Sequence, residues 1–347
     1  MRAPCVINGE SVAAGSRGVV RLPLPGFYTH APSTMPVQII HGRQSGPSLL
    51  VTSALHGDEI NGVEIIRRLS GRAVLNRMKG TLILVPVMNV FGFLAQSRYL
   101  PDRRDLNRSF PGSPKGSMAS RLANLVTTEI LPACTHVIDL HTGAVARENL
   151  PQIRAAFSDN PELETLAKAF NAPVVLDAPQ RDGTFRETAQ QHSIPALVYE
   201  AGEALRFDEL SVRAGVSGVL NVMSHLGMIR KRTPRGHTPL VAKSTQWVRA
   251  PQSGVVRSLP VLGASVEAGE RLALIGDPFG GHEEEVLSPV SGIVIGRTRV
   301  PLVHEGEALF HIAKFDQASR AAESIENFQD AFDPDNGSVE SFEPPLT

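Results

Sequence analysis

The sequence predicts an α/β protein with a mixed, mostly parallel sheet, helices on both faces of that sheet, and a small all-β sandwich after it. Three observations support this. From about residue 36 to residue 230, apolar strand-like runs alternate with helix-like segments. The strand-like runs are apolar at consecutive positions, as expected of strands covered on both faces. After about residue 244 the chain changes to short strand-like runs separated by Gly-rich turns.

The alternating elements can be followed along the chain. The first strands are predicted for “VQIIHG” and “SLLVTSAL”, and three further buried strands for “GTLILVPVMN”, “THVIDLHTG” and “PALVYEAGE”. A helix is predicted for “EINGVEIIRRL”, whose apolar residues recur on one face. Further helices are predicted for “MASRLANLVTTEIL”, “NPELETLAKAFN” and “FDELSVRAGVSGVLNVMSHLGM”. The second of these opens with an N-cap and proline signal.

The C-terminal region contains an internal repeat. “APQSGVVRSL” resembles “SPVSGIVIGR”, and “VEAGERLALIG” resembles “VHEGEALFHIA”. Two similar units of this length predict a β-sandwich with pseudo-twofold symmetry. The predicted organisation is an N-terminal extension packed on the main domain (1–35), that main domain (36–230), a polar linker (231–243), the sandwich (244–313) and an acidic tail (314–347).

Composition restricts the classes of function. The 347 residues carry 34 basic and 35 acidic side chains, a formal net charge of −1, so we expect neither nucleic acid nor an anionic membrane as the main partner. No apolar stretch is long enough to cross a bilayer, and the N-terminus has no apolar signal core. With two cysteines that form no framework, we expect a cytoplasmic protein with reduced thiols.

Polar residues follow the ends of several predicted strands. In mostly parallel sheets, ligands bind outside the carboxyl ends of the strands. His56, His141 and Glu200 each lie at such an end, and Glu59 follows His56 by three residues. Zinc binds nitrogen and carboxylate ligands, and a catalytic site leaves one position for water. A single His-x-x-Glu pair is weak evidence, since histidine is also a common buried hydrogen-bonding residue, but several polar strand ends on one rim favour a metal site.

Neighbouring residues have predicted supporting roles. Asp58 and Asp139 are candidates to hold the imidazoles of the ligands by hydrogen bonds. Glu200 ends an apolar run, where a carboxylate is costly unless it has a role or a partner, so it is a candidate general base. Glu203 is an alternative to it, and a structural salt bridge is the alternative for either.

The segment 96–117 is a long loop rich in Pro, Gly and Arg. Within it, “DLNRSFPG” places Asn107 and Arg108 next to an apolar anchor and a Pro-Gly turn. Arginine makes two parallel bonds to a carboxylate, and asparagine can add a third. This combination predicts a clamp for a substrate carboxylate, although a solvated basic loop is the simpler interpretation of its other arginines.

The four motifs “HGDE”, “DLNRSFPG”, “DLHTG” and “YEAGE” together resemble those of the succinylglutamate desuccinylase/aspartoacylase family, within the zinc carboxypeptidase superfamily. The resemblance covers roughly residues 36–230, with the motifs in the family's order. Within the family, the chain is most similar to the branch with an extra C-terminal β domain, such as the N-acetyl-diaminobutyrate deacetylases.

The resemblance implies a role for each matching residue. One zinc ion is expected on His56, Glu59 and His141, and Glu200 matches the general base. Asn107 and Arg108 match the residues that bind the substrate carboxylate. The family also has an arginine before the “DLNR” motif that polarises the scissile carbonyl. Arg98 fits this role best, with Arg103 and Arg104 as alternatives, and Arg186 is a further candidate for the substrate pocket.

The predicted sandwich resembles biotinyl/lipoyl domains, with “APQSGVV” and “SPVSGIV” as repeat signatures. Those domains attach their cofactor to a lysine at a hairpin tip, but no lysine occurs between Lys243 and Lys314. The tip region “GDPFGGHEEEV” contains His282 and three glutamates instead. We therefore expect no covalent biotin or lipoate, and a structural, oligomerisation or pocket-covering role for this domain.

The predicted function is zinc-dependent hydrolysis of the amide bond of a small N-acyl amino acid. Two alternatives remain: a zinc carboxypeptidase that acts on peptides, and a non-catalytic ligand-binding protein on the same fold. The added β domain is compatible with a homo-oligomer.

Overall fold

The computed structural model describes residues 2–26, 31–158, 160–234, 237–258 and 260–333. Its helices are α1 (Asn61–Ser70), α2 (Val90–Leu94), α3 (Met118–Leu125), α4 (Pro161–Phe170), α5 (Phe185–Gln191), α6 (Glu209–His225) and α7 (Ala318–Phe332). Its strands are β1 (Cys5–Ile7), β2 (Glu10–Val12), β3 (Ser16–Pro23), β4 (Thr34–His41), β5 (Gln44–Ser53), β6 (Lys79–Val85), β7 (His136–Gly143), β8 (Arg147–Ala155), β9 (Val174–Asp177), β10 (Ala196–Glu203), β11 (Leu240–Ala242), β12 (Ser244–Arg249), β13 (Gly254–Ser258), β14 (Ser265–Val266), β15 (Arg271–Gly276), β16 (Glu283–Leu287), β17 (Gly292–Thr298), β18 (Leu302–Val303) and β19 (Ala308–Lys314).

Among the described residues, a mixed sheet of thirteen strands dominates the fold. Its main path runs β12-β19-β17-β8-β10-β7-β5-β6-β4-β3, with β9, β11 and β14 attached beside it. The central strands β6, β5, β7 and β10 are parallel to one another. Their carboxyl ends therefore meet at one edge of the sheet, where ligand sites of such folds lie.

Helices cover both faces of this central part. On one face, α1, α4 and α6 pack through a core that contains Ile65, Phe170 and Val216. On the other face, α3 and α5 pack through a core that contains Leu122 and Phe185. The alternation of apolar runs and amphipathic segments correctly predicted this α/β class. No helix in the described parts of the chain is both long and apolar enough to span a membrane.

The C-terminal strands form two antiparallel layers. One layer contains β12, β19, β17 and β14, and the other is the four-stranded sheet β16-β15-β13-β18. Leu272, Ile275, Phe310 and Ile312 belong to the core that these strands bury. The first layer also extends the main sheet, because β17 pairs with β8. The strand-rich C-terminal region agrees with the prediction, and its continuity with the main sheet was not predicted.

Helix α7 contacts both parts of the protein. Ile325 shares a buried cluster with Ile293 of β17, and Phe328 shares another with Ala214 of α6. The apolar face of α7 explains this packing, so this part of the predicted acidic tail is a packed amphipathic helix.

The predicted domain boundaries stay a prediction. Residues 334–347 of the predicted tail, 235–236 of the predicted linker, and 1 and 27–30 of the predicted N-terminal extension lie outside the described residues. His282 lies exposed in the turn between β15 and β16.

Candidate active site

The turn after β5 places His56 and Glu59 at the carboxyl edge of the sheet. Ala54 has a φ of 47°, which bends the chain away from the strand direction. Gly57 then passes against the backbone of Gly92, where an added Cβ would lie 2.0 Å from the carbonyl carbon of that residue. Only glycine permits this approach, so the “HGDE” motif is shaped by packing as well as by chemistry.

The three predicted metal ligands come together. Glu59 Oε1 lies 2.7 Å from Nδ1 of His56, and Glu59 Oε2 lies 2.7 Å from Nδ1 of His141. One potential ligand atom of each residue lies within 4.8 Å of the other two, and all three side chains are buried. The parallel pairing of β5 with β7 joins these residues, which are distant in the chain.

A carboxylate orients the imidazole of His141. Asp139 lies two residues earlier on β7, and its Oδ2 lies 2.8 Å from Nε2 of His141. Thr52 of β5 donates its hydroxyl hydrogen to Asp139 Oδ1 over 2.7 Å, which fixes the carboxylate in turn. With the ring hydrogen on Nε2 held by Asp139, Nδ1 of His141 would be the ring atom that binds a metal ion.

The corresponding partner of His56 is Asp105, which the sequence analysis missed. Asp105 Oδ1 lies 3.2 Å from Nε2 of His56. The predicted role of Asp58 in holding an imidazole is wrong, because the ring nitrogens of both histidines lie at hydrogen-bond distance from Glu59, Asp105 and Asp139 instead. Asp105 lies two residues before Asn107, at the start of the “DLNR” motif. This position was the sequence signal that could have identified it as a site residue.

In this cluster, neighbouring charges outweigh the effect of burial on the pKa values of the ionisable side chains. Burial alone would raise the pKa of Glu59, but the imidazoles of His56 and His141 hold it well below its usual value. Burial alone would lower the pKa of His141, but the carboxylates of Asp139 and Glu59 raise it well above its usual value. Two imidazoles and an ionised carboxylate are a donor set that divalent zinc accepts, so the residues fit a metal ion.

Arg98 lies beside the candidate ligands. Its Nη1 lies 3.3 Å from Glu59 Oε1, and its Nη2 lies 3.0 Å from Asp105 Oδ2. The alternatives Arg103 and Arg104 are exposed and do not line the cavity in front of the cluster. Of the three arginines that are candidates to polarise the scissile carbonyl, Arg98 is favoured by its location.

Glu200 faces the same cavity. It is half-buried on β10, in register with His141 of the neighbouring strand. Asn149 Nδ2 donates a hydrogen bond to Glu200 Oε2 over 3.0 Å. Glu203, the alternative acid, accepts from the backbone N–H of Ala146 and does not line the cavity.

The loop with Asn107 and Arg108 lies against the start of α5. Asn107 Oδ1 accepts a hydrogen bond from the backbone N–H of Phe185 over 3.0 Å, which leaves its Nδ2 as a donor. Arg108 is exposed and its Nη1 donates to the carbonyl oxygen of Asn107 over 2.5 Å. Arg186, on the first turn of α5, lines the cavity as well, and its Nη2 donates to Pro179 O over 2.9 Å.

These residues line one cavity of about 580 Å³, a size suited to a small ligand. Several of its residues were not predicted: Arg147, Asn149 and Arg154 from β8, and Trp247 from β12. Trp247, the single tryptophan of the chain, shows that the C-terminal region contributes to the cavity wall.

Comparison with known proteins agrees with this architecture. Residues 45–226 match the family model of the succinylglutamate desuccinylase/aspartoacylase catalytic domain, which is more than half of the chain. The chain belongs to this family. The matched range contains every residue predicted for the site, from His56 to Glu200.

Three relatives share most of the length of this family member. N-alpha-acetyl-L-2,4-diaminobutyric acid deacetylase of Halomonas elongata is 26% identical over 311 residues, covering 86% of this chain and 91% of the relative. The product-bound structure of the ectoine utilization protein EutE (DoeB) of Ruegeria pomeroyi is 25% identical, with a TM-score of 0.78. The match covers 86% of this chain and 95% of that chain. A succinylglutamate desuccinylase/aspartoacylase of Rhodobacter sphaeroides is 26% identical, with a TM-score of 0.78. The match covers 87% of this chain and 95% of that chain. The similarity thus includes the C-terminal region.

Proposed function

We propose that this protein is a zinc-dependent amidohydrolase that removes the acyl group from a small N-acyl amino acid. The observation that carries the proposal is the convergence of His56, Glu59 and His141 in front of a cavity that Glu200 also lines. Membership of the deacylase family and the deacetylase relative give independent support.

His56, Glu59 and His141 would hold the metal. A bound zinc ion supplies Lewis acidity, which lowers the pKa of a water and polarises a carbonyl oxygen. Asp139 and Asp105 support this arrangement, because each lies at hydrogen-bond distance from Nε2 of one imidazole. With that hydrogen held on Nε2, the Nδ1 atoms, which face Glu59, would be the coordinating atoms.

Glu200 is the proposed general base. Its carboxylate accepts a proton from the attacking water and returns it to the nitrogen of the leaving amine. The hydrogen bond from Asn149 occupies Oε2 and so directs Oε1 toward the cavity for this transfer. Arg98 is the proposed donor to the acyl oxygen as negative charge develops there.

Asn107 and Arg108 are the proposed ligands of the α-carboxylate. The guanidinium of Arg108 lines the cavity and, among the described residues, has a carbonyl oxygen and no carboxylate as its partner, so it is available to pair with a substrate carboxylate. The Nδ2 of Asn107 is oriented as a donor by the bond that Phe185 makes to its Oδ1. Holding the carboxylate fixes which bond of the substrate faces the metal ligands.

Replacement of the base tests the proposal. Glu200→Gln keeps the shape of the side chain but cannot accept the proton, so we expect kcat for N-acetyl and N-succinyl amino acids to fall by at least about 100-fold. Zinc content should stay at one ion per chain in metal analysis. Glu203→Gln, on the same strand but outside the cavity, is the matched control and should keep wild-type turnover.

Near-wild-type turnover by Glu200→Gln would remove Glu200 from the mechanism. Preferential hydrolysis of dipeptides over N-acyl amino acids by the wild-type protein would favour the carboxypeptidase function instead.

A further inference from the structure

Strand β17 joins the C-terminal region to the main sheet beside the proposed general base. Gly296 of β17 lies opposite Asn149 of β8. The next pair along these strands is held by charge, because Glu148 Oε2 lies 3.2 Å from Nε of Arg297 and 3.3 Å from Nη1 of Arg299. These ion pairs are partly exposed and add little stability, but they favour the register that brings Gly296 to Asn149.

Gly296 has no room for a side chain. A Cβ atom added to it would lie 3.1 Å from Oδ1 of Asn149 and 3.2 Å from Cβ of His311 on β19. Both distances are shorter than a comfortable contact of a carbon atom. The φ angle of Gly296 lies outside the left-handed region, so the backbone conformation does not require glycine here. The close packing of Asn149 and His311 over this residue does.

The His311 side of this contact is rigid. The imidazole of His311 stacks on Trp247 of β12, with ring centroids 4.2 Å apart and an angle of 1° between the planes. Only 3% of the surface of His311 is exposed, and its Cβ atom is held by the pairing of β19 with both β12 and β17. A methyl group at position 296 would therefore displace the side-chain amide of Asn149 more readily than His311.

The side-chain amide of Asn149 connects this contact to Glu200. Its Nδ2 donates a hydrogen bond to Glu200 Oε2 over 3.0 Å, while its Oδ1 lies over Gly296. The two atoms belong to one planar group, so a shift of Oδ1 away from β17 also turns Nδ2 relative to the carboxylate. The position of the Glu200 carboxylate thus depends on how closely β17 approaches β8.

We propose that the C-terminal region positions the general base: the space over Gly296, bounded by His311, holds the amide of Asn149 in the orientation that directs Glu200. This inference rests on the proposed function and adds Gly296 and Asn149 to it as positioning residues. Neither Gly296 nor His311 lines the cavity, so through this contact the C-terminal region acts on turnover without touching the substrate. Substrate affinity is accordingly independent of the contact.

Graded substitutions at position 296 test the positioning in the full-length, zinc-loaded protein. Gly296→Ala should lower kcat for N-acyl amino acids by about threefold and Gly296→Val by at least about tenfold, because the larger group displaces Asn149 further. KM should stay within about twofold of the wild-type value, and metal analysis should find the wild-type zinc content in both variants. A raised KM with unchanged kcat would overturn the proposal, since it would assign the contact to substrate binding.

A double-mutant cycle shows whether the effect passes through Asn149. Asn149→Ala should lower kcat by at least about tenfold, and it leaves space for a larger residue at position 296. In that background Gly296→Val should change kcat by less than about twofold, whereas independent effects would multiply. Ile295→Val is the matched control and should keep wild-type kcat, because Ile295 precedes Gly296 on β17 but packs in the cluster that contains Ile325 of α7. Multiplied losses in the double variant would exclude Asn149 as the link.

A measurement that needs no turnover separates this inference from the proposed function. With asparagine isotope-labelled for nitrogen–proton NMR spectroscopy, the side-chain signal of Asn149 is the one absent from Asn149→Ala. It should shift in Glu200→Gln and in Gly296→Val, or in Gly296→Ala where the valine variant is unstable, and stay in place in Ile295→Val. An unshifted signal in the Gly296 variants would refute the positioning. The expected shifts in a protein that hydrolyses no N-acyl amino acid would contradict the proposed function and leave the contact between Gly296, Asn149 and Glu200 standing.

Discussion

At the scale of single residues, Glu59 organises the candidate metal centre. Its carboxylate lies between the Nδ1 atoms of two imidazoles and also accepts from the backbone N–H of Thr142 over 3.2 Å. Only 2% of its surface is exposed, so an isolated carboxylate here would be strongly destabilised. The histidines and the nearby Arg98 keep it ionised, which is the form that binds a metal ion.

The hydrogen bond between Asp139 and His141 gives a prediction at this scale. In Asp139→Asn the single remaining oxygen accepts from Thr52, so the amide N–H faces Nε2 of His141 and the tautomer with its hydrogen on Nε2 is no longer favoured. We expect zinc affinity to fall by about 10- to 100-fold, measured by competition with a chelator. Asp58→Asn is the control, because Asp58 is buried nearby but does not bond to either imidazole. Equal zinc affinities in Asp139→Asn and the wild-type protein would contradict the role of Asp139.

The convergence of the candidate ligands could be predicted from the sequence because strand ends of a parallel sheet meet at one edge. His56, His141 and Glu200 follow apolar runs, and this placement can be recognised from the few residues around each of them. Asp105 was missed because its contact with His56 depends on how an irregular loop folds back over the sheet, which no local pattern records.

At the scale of elements, β8 decides the shape of the cavity. It pairs antiparallel with β10, and the register shifts so that Gln152 lies opposite Glu200 while Asn149 lies opposite Gly202. This bulge inserts one extra residue in β8 and turns Asn149 to the cavity together with Arg154. Strand alternation alone would place Asn149 on the opposite face, so the sequence did not predict its contact with Glu200.

The pairing of β12 with β19 gives a prediction about pH. Burial, with a smaller contribution from Arg154, lowers the pKa of His311 to about 3. The unfolded chain therefore takes up a proton at higher pH than the folded protein does, and stability falls as the pH drops below the ordinary histidine range. From pH 7.5 to pH 5 this one group should cost about 2 kcal/mol of unfolding free energy.

His311→Phe keeps a flat ring against Trp247 and removes the titrating group. Urea denaturation across that pH range should show a shallower loss of stability in this variant than in the wild-type protein. His282→Gln, at an exposed turn, is the matched control and should follow the wild-type curve. Identical pH dependence in His311→Phe and the wild-type protein would show that His311 is not held neutral by burial.

At the scale of the whole molecule, the C-terminal region is part of the wall of the candidate active-site cavity. β17 pairs with β8, and this continuity brings Trp247 to the cavity. The sequence predicted a separate β-sandwich from its internal repeat, and it predicted the α/β class from its alternating elements. The joining of the two sheets depends on pairing between strands about 150 residues apart in the chain, for which local periodicity carries no signal.

The central claim is that one metal ion binds between two strand ends and faces the cavity shared with the C-terminal region. Anomalous diffraction at the zinc absorption edge, from crystals grown with one equivalent of zinc, tests it most directly. The account predicts one strong peak at about 2.0–2.2 Å from nitrogen atoms of His56 and His141 and a carboxylate oxygen of Glu59. A peak elsewhere, with none among these three side chains, would contradict it.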